Sequence, residues 1–291
     1  MSLDLRAALR SIARSPGFLV SAVLTLALGL GAVVTSFGLL AGALGGPIGA
    51  GDEPLVLYLT EQADGREQRM RWPYAAVQHF RSAAQSYQHI ATYTIGSQNL
   101  SGNGQSSRAE IEFVSPGYFD VTATQPMLGR VPLAEQTETP GSPAEIVLGH
   151  ALWQRAFGGD ASALGRTLIV SRETLTIVGV MPEGFRGLSG RAEAFVPHTM
   201  SPRVSYAGYF TSQDYFHNVI ATLKPGVDRR QAESELNLIV GQMAASVPSR
   251  SEGATGRGGM VMPLSDARRD AAIVRARLYV AVGAVLVLLV A

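Results

Sequence analysis

The chain has 291 residues, 46% of them hydrophobic and 16% charged, and its 24 basic and 23 acidic side chains leave a net charge of +1. That balance gives no overall field to attract nucleic acid, and the apolar content excludes a disordered chain. Cysteine is absent, which excludes a disulfide framework, thiolate catalysis and cysteine-based metal sites; it also suits an oxidising compartment.

Leu3 to Arg14 reads as an amphipathic helix, with Leu5, Leu9 and Ile12 at helical spacing and Arg6, Arg10 and Arg14 in the adjacent stripe. Arginine beside apolar residues suits an anionic membrane surface, so residues 1–17 are expected to lie on lipid at the cytoplasmic face, the alternative being a solvated helix face. Pro16-Gly17 ends that helix, and from Ser15 to Gly51 no side chain is charged. Phe18 to Leu44 holds eight Leu, four Val and two Phe. About 20 such residues cross roughly 30 Å of hydrocarbon, so 18–46 is assigned as a first transmembrane helix. Ala41-Gly42-Ala43 offers a signal-peptidase pattern, but the apolar run is about twice the usual 7–15 residues of a signal peptide. Gly38 and Gly42 form a GxxxG pair that would admit a neighbouring helix, unless it reflects only the general frequency of glycine in such spans.

A Gly/Pro-rich stretch then leads into a soluble pattern assigned to residues 53–264. Strands are expected at Leu55–Thr60, Ile90–Gly96 and Ala109–Val114, with a helix from Trp72-Pro73 to Ala84 and a Gly/Ser/Asn turn at Ser101–Ser107. Ser115–Phe119 reads as a turn of helix and Glu135–Pro143 as a polar loop. Glu145–Leu148 reads as a strand, His150–Phe157 as a short helix, and Thr167–Val170 with Thr174–Val180 as a hairpin. Val219–Leu223 is a further strand. The helix Arg229–Ala245 carries Ala232, Leu236, Ile239, Val240 and Met243 on one stripe, and Met260–Pro263 closes the pattern as a strand. The irregular alternation of strands and helices points to an α+β domain. Residues 265–277 are expected to form a charged stalk helix, and the apolar run 278–291 the truncated start of a second span. Arg268, Arg269, Arg275 and Arg277 on the outer side of that span oppose the positive-inside bias, although a domain of this size translocates largely regardless of charge.

Several segments occur in a familiar order: Val114-Ser-Pro-Gly-Tyr-Phe-Asp-Val121, Leu128-Gly-Arg130, Ile146-Val-Leu-Gly-His-Ala-Leu-Trp-Gln-Arg-Ala-Phe-Gly-Gly-Asp160, Leu164-Gly-Arg-Thr-Leu168, Ile177-Val-Gly-Val-Met-Pro-Glu-Gly-Phe185 and Ala221-Thr-Leu-Lys-Pro-Gly-Val227. Together with Leu5–Phe18 they resemble MacB-like, FtsX-like ABC transporter permeases of the duplicated type, over nearly the whole chain. The resemblance implies a two-lobed extracytoplasmic domain flanked by transmembrane helices. A βαβ-type lobe would combine about Leu55–Val114 with about Val219–Pro263, and a β-rich lobe would be inserted between them. It also implies a bacterial inner-membrane protein, multi-pass at full length, with a cytoplasmic ABC ATPase subunit as partner. A second permease half-unit or homodimer and an extracytoplasmic protein are further implied partners, and the role implied is efflux or mechanotransmission. From the residues themselves, Gly129, Gly165 and Gly179 suit positive φ or close approach, and Trp153 and Phe157 suit an apolar anchor for a short helix.

No motif carries chemistry. Gly158–Thr167 lacks the GxxxxGK[ST] spacing and has Arg166 where a phosphate loop needs lysine. There is no HExxH or GxSxG, and His79, His89, His150, His198 and His217 are far apart in the sequence. Asp52-Glu53 reads as solvated charge, and Asp214 near His217 as at most a hydrogen-bonded pair. The sequence thus offers no catalytic, cofactor-binding or metal-ligating residue. Its best reading is a noncatalytic permease subunit with no cofactor and no nucleic-acid partner. A membrane-anchored binding or sensor domain is the alternative, and an anchored hydrolase stands third.

Overall fold

The computed structural model describes residues 53–270 except 64, 103–104, 133–142, 244–246 and 248–254, together with Gly17 and Gly31. Residues 45–267 form one compact unit. Of a second unit, residues 1–44 and 268–291, only Gly17, Gly31 and 268–270 are described, and all are helical. Apart from Gly17 and Gly31, the amphipathic segment, the spans expected at 18–46 and 278–291, the end of the stalk and most of the 135–143 loop therefore lie outside the described residues. Among the described residues no helix is long and apolar enough to cross a membrane.

In chain order the elements are β1 (Leu55–Ala63), β2 (Arg66–Met70), α1 (Tyr74–Ala83), β3 (Tyr87–Gly102), β4 (Gln105–Val114), α2 (Tyr118–Val121), β5 (Leu128–Gly129), β6 (Glu145–Leu148), α3 (His150–Phe157), β7 (Thr167–Val170), β8 (Glu173–Val180), β9 (Ala194–Pro197), α4 (Ser201–Val204), β10 (Asn218–Leu223), α5 (Arg229–Met243) and β11 (Thr255–Pro263). Among the described residues these strands make one sheet in the order β11–β1–β10–β3–β4–β9–β6–β8–β5, with β2 beside β1 and β7 beside β3 and β8.

β10 lies antiparallel between β1 and β3, so β1 and β3 are parallel and α1 is their crossover. By the same logic β10 and β11 are parallel across β1, with α5 as crossover. Two interlocked split βαβ units result, the topology of a ferredoxin-like lobe. Both helices cover the same face. Val77 and Phe80 of α1 and Leu236, Ile239 and Val240 of α5 pack on Leu55, Leu57 and Leu59 of β1 and on Val219 and Ala221 of β10. The buried stripe of α5 is the apolar stripe of its sequence: Ala232, Leu236, Ile239, Val240 and Met243. Trp72, fully buried, donates its indole N–H to the Leu57 carbonyl at 2.8 Å and tilts against Phe80.

Everything from β4 to β9 is inserted between β3 and β10. A β-rich lobe was expected between Val114 and Val219, and its strands, β5 to β9, continue the same sheet. β4 pairs with β3 along ten residues and receives β9 in parallel on its other side. Trp153 of α3 is buried in the core of this half, with Phe157 partly buried against it, as the anchor reading expected. The segment β5–β8 explains two of the motif glycines. Gly129 has φ +71°, and a Cβ there would stand 2.2 Å from the Val178 carbonyl oxygen. Opposite it, a Cβ on Gly179 would stand 2.2 Å from the Arg130 carbonyl oxygen. Gly165, at φ +80°, is needed for its backbone conformation alone.

The Gly179→Ala substitution forces β5 and β8 apart, because the atom its Cβ would meet, the Arg130 carbonyl oxygen, belongs to the backbone. A loss of about 3 kcal/mol is expected, read as a lower urea midpoint with an unchanged slope. A midpoint equal to the parent's would remove the close-approach explanation.

Candidate functional site: where the chain enters and leaves the domain

β1 is the first strand of the domain and β11 the last, and they are neighbours in the sheet. Their register pairs Leu55 with Pro263, so the chain enters and leaves side by side at one end. Two bonds continue the pairing beyond the strands. The Leu264 N–H donates to the Pro54 carbonyl at 2.9 Å. The Ser265 N–H donates to Oε1 of Glu53 at 2.9 Å. Residues 264–270 are helical, so Glu53 accepts from outside the helix one of the free N–H groups of its first turn. A negative charge there also complements the helix dipole, as does Asp266 in the same turn. The expected stalk helix from residue 265 is seen as far as 270. Asp52-Glu53 was read as solvated charge; Glu53 instead bridges the two connections.

Below this junction the exit helix joins the core. Leu264 is buried with Val56, Ile220, Val121 and Tyr118, and Ala267 packs against the same cluster. From Tyr118 a polar contact runs into the insertion. Its hydroxyl donates to Oε2 of Glu112 and accepts the Leu188 N–H at 2.9 Å. The other oxygen of Glu112 accepts the Ser189 N–H at 2.7 Å. Glu112 is fully buried, and desolvation raises its carboxyl above the usual range although these hydrogen bonds pull the other way. Gly187 makes room for it, since a Cβ there would lie 2.5 Å from Oε1.

The histidines divide. His79 is exposed, and His150 lies with its ring 5.6 Å from Trp153. His198 and His217, distant in sequence, meet around Tyr74 at ring separations of 6.2 and 5.4 Å. Tyr209, Phe210 and Phe216 complete this aromatic seam, which ties α1 to the insertion. Asp214 does not pair with His217: its carboxylate accepts the Ser212 hydroxyl at 2.6 Å, while His217 Nε2 lies 3.3 Å from the Tyr209 carbonyl. Gly158–Thr167 is no anion cradle, because Asp160 occupies the turn and accepts both the N–H and the hydroxyl of Ser162. Among the described residues no group of three or more His, Asp or Glu could hold a metal ion. A cavity of about 20 Å³ between β1 and α5, beside the 3.2 Å Glu61–Arg257 ion pair, has room for a water molecule and no organic ligand.

The arrangement defines a class: a two-part domain whose two chain connections lie side by side at one end and are bonded to each other. Residues 19–239 match the MacB-like periplasmic core domain, and the chain belongs to that family. This is the core domain of ABC transporter permease-type proteins, an extracytoplasmic domain of a membrane protein. Solved structures agree in fold. The periplasmic region of MacB from Actinobacillus actinomycetemcomitans is 15% identical with a TM-score of 0.55, over 77% of this chain and 93% of that one. The extracellular domain of the noncanonic ABC-type transporter YknZ from Gram-positive bacteria is 13% identical with a TM-score of 0.53, over 72% and 99%. A domain of a Porphyromonas gingivalis permease protein is 15% identical with a TM-score of 0.53, over 75% and 92%. No curated protein sequence matches the chain.

Two outcomes follow from this geometry. Glu53→Ala removes the carboxylate acceptor of Ser265 and should cost about 1 kcal/mol, with faster hydrogen exchange confined to the first turn of the 264–270 helix; unchanged exchange there would mean that Glu53 holds nothing. Burial holds His217 down to about 4, against an ordinary value near 6.5. Because its folded-state value is depressed, the folded state favours the neutral ring. That contribution is complete above pH 6.5 and is lost as the pH falls toward 4, by about 3 kcal/mol in all. Urea unfolding at pH 7 and pH 4 should therefore show a smaller acid loss in His217→Phe than in the parent; equal losses would contradict the assignment.

Proposed function

We propose that the chain is part of a noncatalytic permease subunit that couples ATP hydrolysis by a separate cytoplasmic ATPase to movement of its extracytoplasmic domain. The work done outside is export or mechanotransmission. One observation carries the reading: the domain's first and last strands are paired, and Glu53 and Ser265 bond across the gap beyond them. A domain that only displays a binding surface needs one tether, and a slack one suffices. A domain that must be moved needs its connections joined to each other and to the core. With both connections at one end, displacement of the pair moves the sheet as a body, whereas separating them would unzip β1 from β11. The segments expected at 18–46 and 278–291 would be the spans that deliver this motion, in an inner membrane crossed several times by the full-length protein. A second half-unit or a second copy would complete the transporter.

The test uses the full-length protein. It should co-purify with an ABC ATPase and stimulate ATP turnover. Flexible Gly/Ser inserts placed together before Glu53 and after Asp270 should abolish export or the external response while leaving ATPase binding intact. Normal function with both inserts present would leave only a tethered binding or sensor domain.

A further inference from the structure

Among the described residues β11 is an outermost strand, bonded in the sheet to β1 alone. Such an edge normally offers a row of free N–H and C=O groups to any passing strand, and proteins blunt it with charge, proline, bulges or cover. From Gly258 to Met262 β11 carries no charge: its sequence there is Gly-Gly-Met-Val-Met. Three outward-facing groups, the N–H and C=O of Gly259 and the N–H of Val261, are nevertheless taken by side chains of α5. Oδ1 of Asn237 accepts the Gly259 N–H at 2.9 Å, and its Nδ2 donates to the Gly259 carbonyl at 3.1 Å. One amide therefore makes both bonds that a neighbouring strand would make to that residue. Oε1 of Glu233 accepts the Val261 N–H at 3.2 Å. The next outward position is Pro263, which has no N–H. The Asn237 amide is also oriented from behind, since Nδ2 donates to the Glu233 carbonyl at 2.8 Å.

The two glycines make this contact possible. A Cβ on Gly258 would stand 2.8 Å from Oδ1 of Asn237, and one on Gly259 2.3 Å from Cγ of Leu236. The strand is uncharged and glycine-bearing here because α5 must come close enough to reach its outer rim. On the other half of the edge the pairing with β1 shifts register between Glu61 and Gln62, and Arg257 forms an ion pair with Glu61. A bulge and a charge guard that part in the usual way.

We propose that Asn237 and Glu233 form a side-chain seal that keeps β11 from pairing with the β11 of a second copy of this chain. The occupant excluded is a second copy because an uncharged edge is complementary to itself: two β11 strands related by a two-fold axis would pair antiparallel, and no like charges between Gly258 and Met262 would oppose them. The seal is independent of what the transporter carries. It means that any dimer of the native protein is built without β11.

The experiment compares the full chain in detergent as parent, Asn237→Asp, Asn237→Ala and Glu233→Ala/Asn237→Ala. Hydrogen exchange is read at Gly259 and Val261, and self-association is followed by sedimentation. Asp at 237 keeps the acceptor for Gly259, so this variant should retain protection there and stay in the parent's oligomeric state. Ala at 237 should speed Gly259 exchange by about tenfold, the factor for one ordinary hydrogen bond. The double variant should extend this to Val261 and add a concentration-dependent association that protects both amides again. Equal exchange in all four chains overturns the seal, and faster exchange without new association overturns its role against pairing. Should the double variant fail to fold, Asn237→Ala is taken to higher protein concentration, where faster Gly259 exchange should be joined by self-association and its absence again overturns the role against pairing.

Discussion

The antiparallel pairing of β1 with β11 joins the first and last strands of the domain, and most of the remaining architecture depends on it. It is a contact of maximal sequence separation, so its cost in chain entropy is met only once the intervening strands are formed. Its inner side carries Leu57, Leu59 and Val261 onto the two crossover helices, and its open end is continued by the Pro54–Leu264 and Glu53–Ser265 bonds. The contact that completes the core therefore also brings the two chain connections together. In a domain of this family the same bonds serve stability and attachment.

A continuous sheet has consequences that two loosely joined lobes would lack. β3 belongs to both halves: it pairs with β10 through Tyr93 and with β4 from Tyr93 to Gly102. Relative movement of the halves must therefore bend or twist a hydrogen-bonded ladder. On one face the exit helix, β1, α2 and the 181–192 segment share a single apolar cluster, from Leu264 through Val56 and Tyr118 to Leu188 and Phe195. Close-packed interiors transmit displacement poorly by deformation and well by moving as a unit. The fold is accordingly suited to carrying a displacement of its base into the insertion.

How much of this could be read from the sequence depended on the range of the interactions. The helix α5 was legible because its five buried residues repeat at helical spacing, and β1, β6, β8 and β10 because they are apolar runs bounded by turns. β2 was not: four of its five residues are exposed, so Arg66-Glu-Gln-Arg-Met70 has no apolar signature and owes its strand form to β1. The outer part of β3 was missed for a similar reason, since Ser97, Gln98 and Asn99 form a strand only because β4 lies beside them. The motif glycines and Trp153 were legible as structural residues. Glu53 was not legible as part of a junction, because its partner Ser265 lies 212 residues away in the sequence. Nor was the role of Glu112, whose partners Tyr118, Leu188 and Ser189 belong to separate segments.

Glu112 illustrates why such a residue is tolerated. A carboxyl buried without a neighbouring cation is costly to ionise, and an apolar residue of similar volume would ordinarily pack at least as well. Here its oxygens take a tyrosine hydroxyl and a backbone N–H, while the same tyrosine takes a second backbone N–H. An apolar replacement would strand the Ser189 N–H and the Tyr118 hydroxyl together, at roughly 1–3 kcal/mol for each group left unsatisfied. The carboxyl therefore fixes one arrangement of the 187–190 turn against α2, and alternative arrangements leave polar groups buried and unpaired. Packing gives this domain its stability, whereas Glu53, Glu112 and Asn237 fix how its parts are joined. Each of these side chains accepts a hydrogen bond from a backbone N–H of a separate segment, and so selects one way of joining the two.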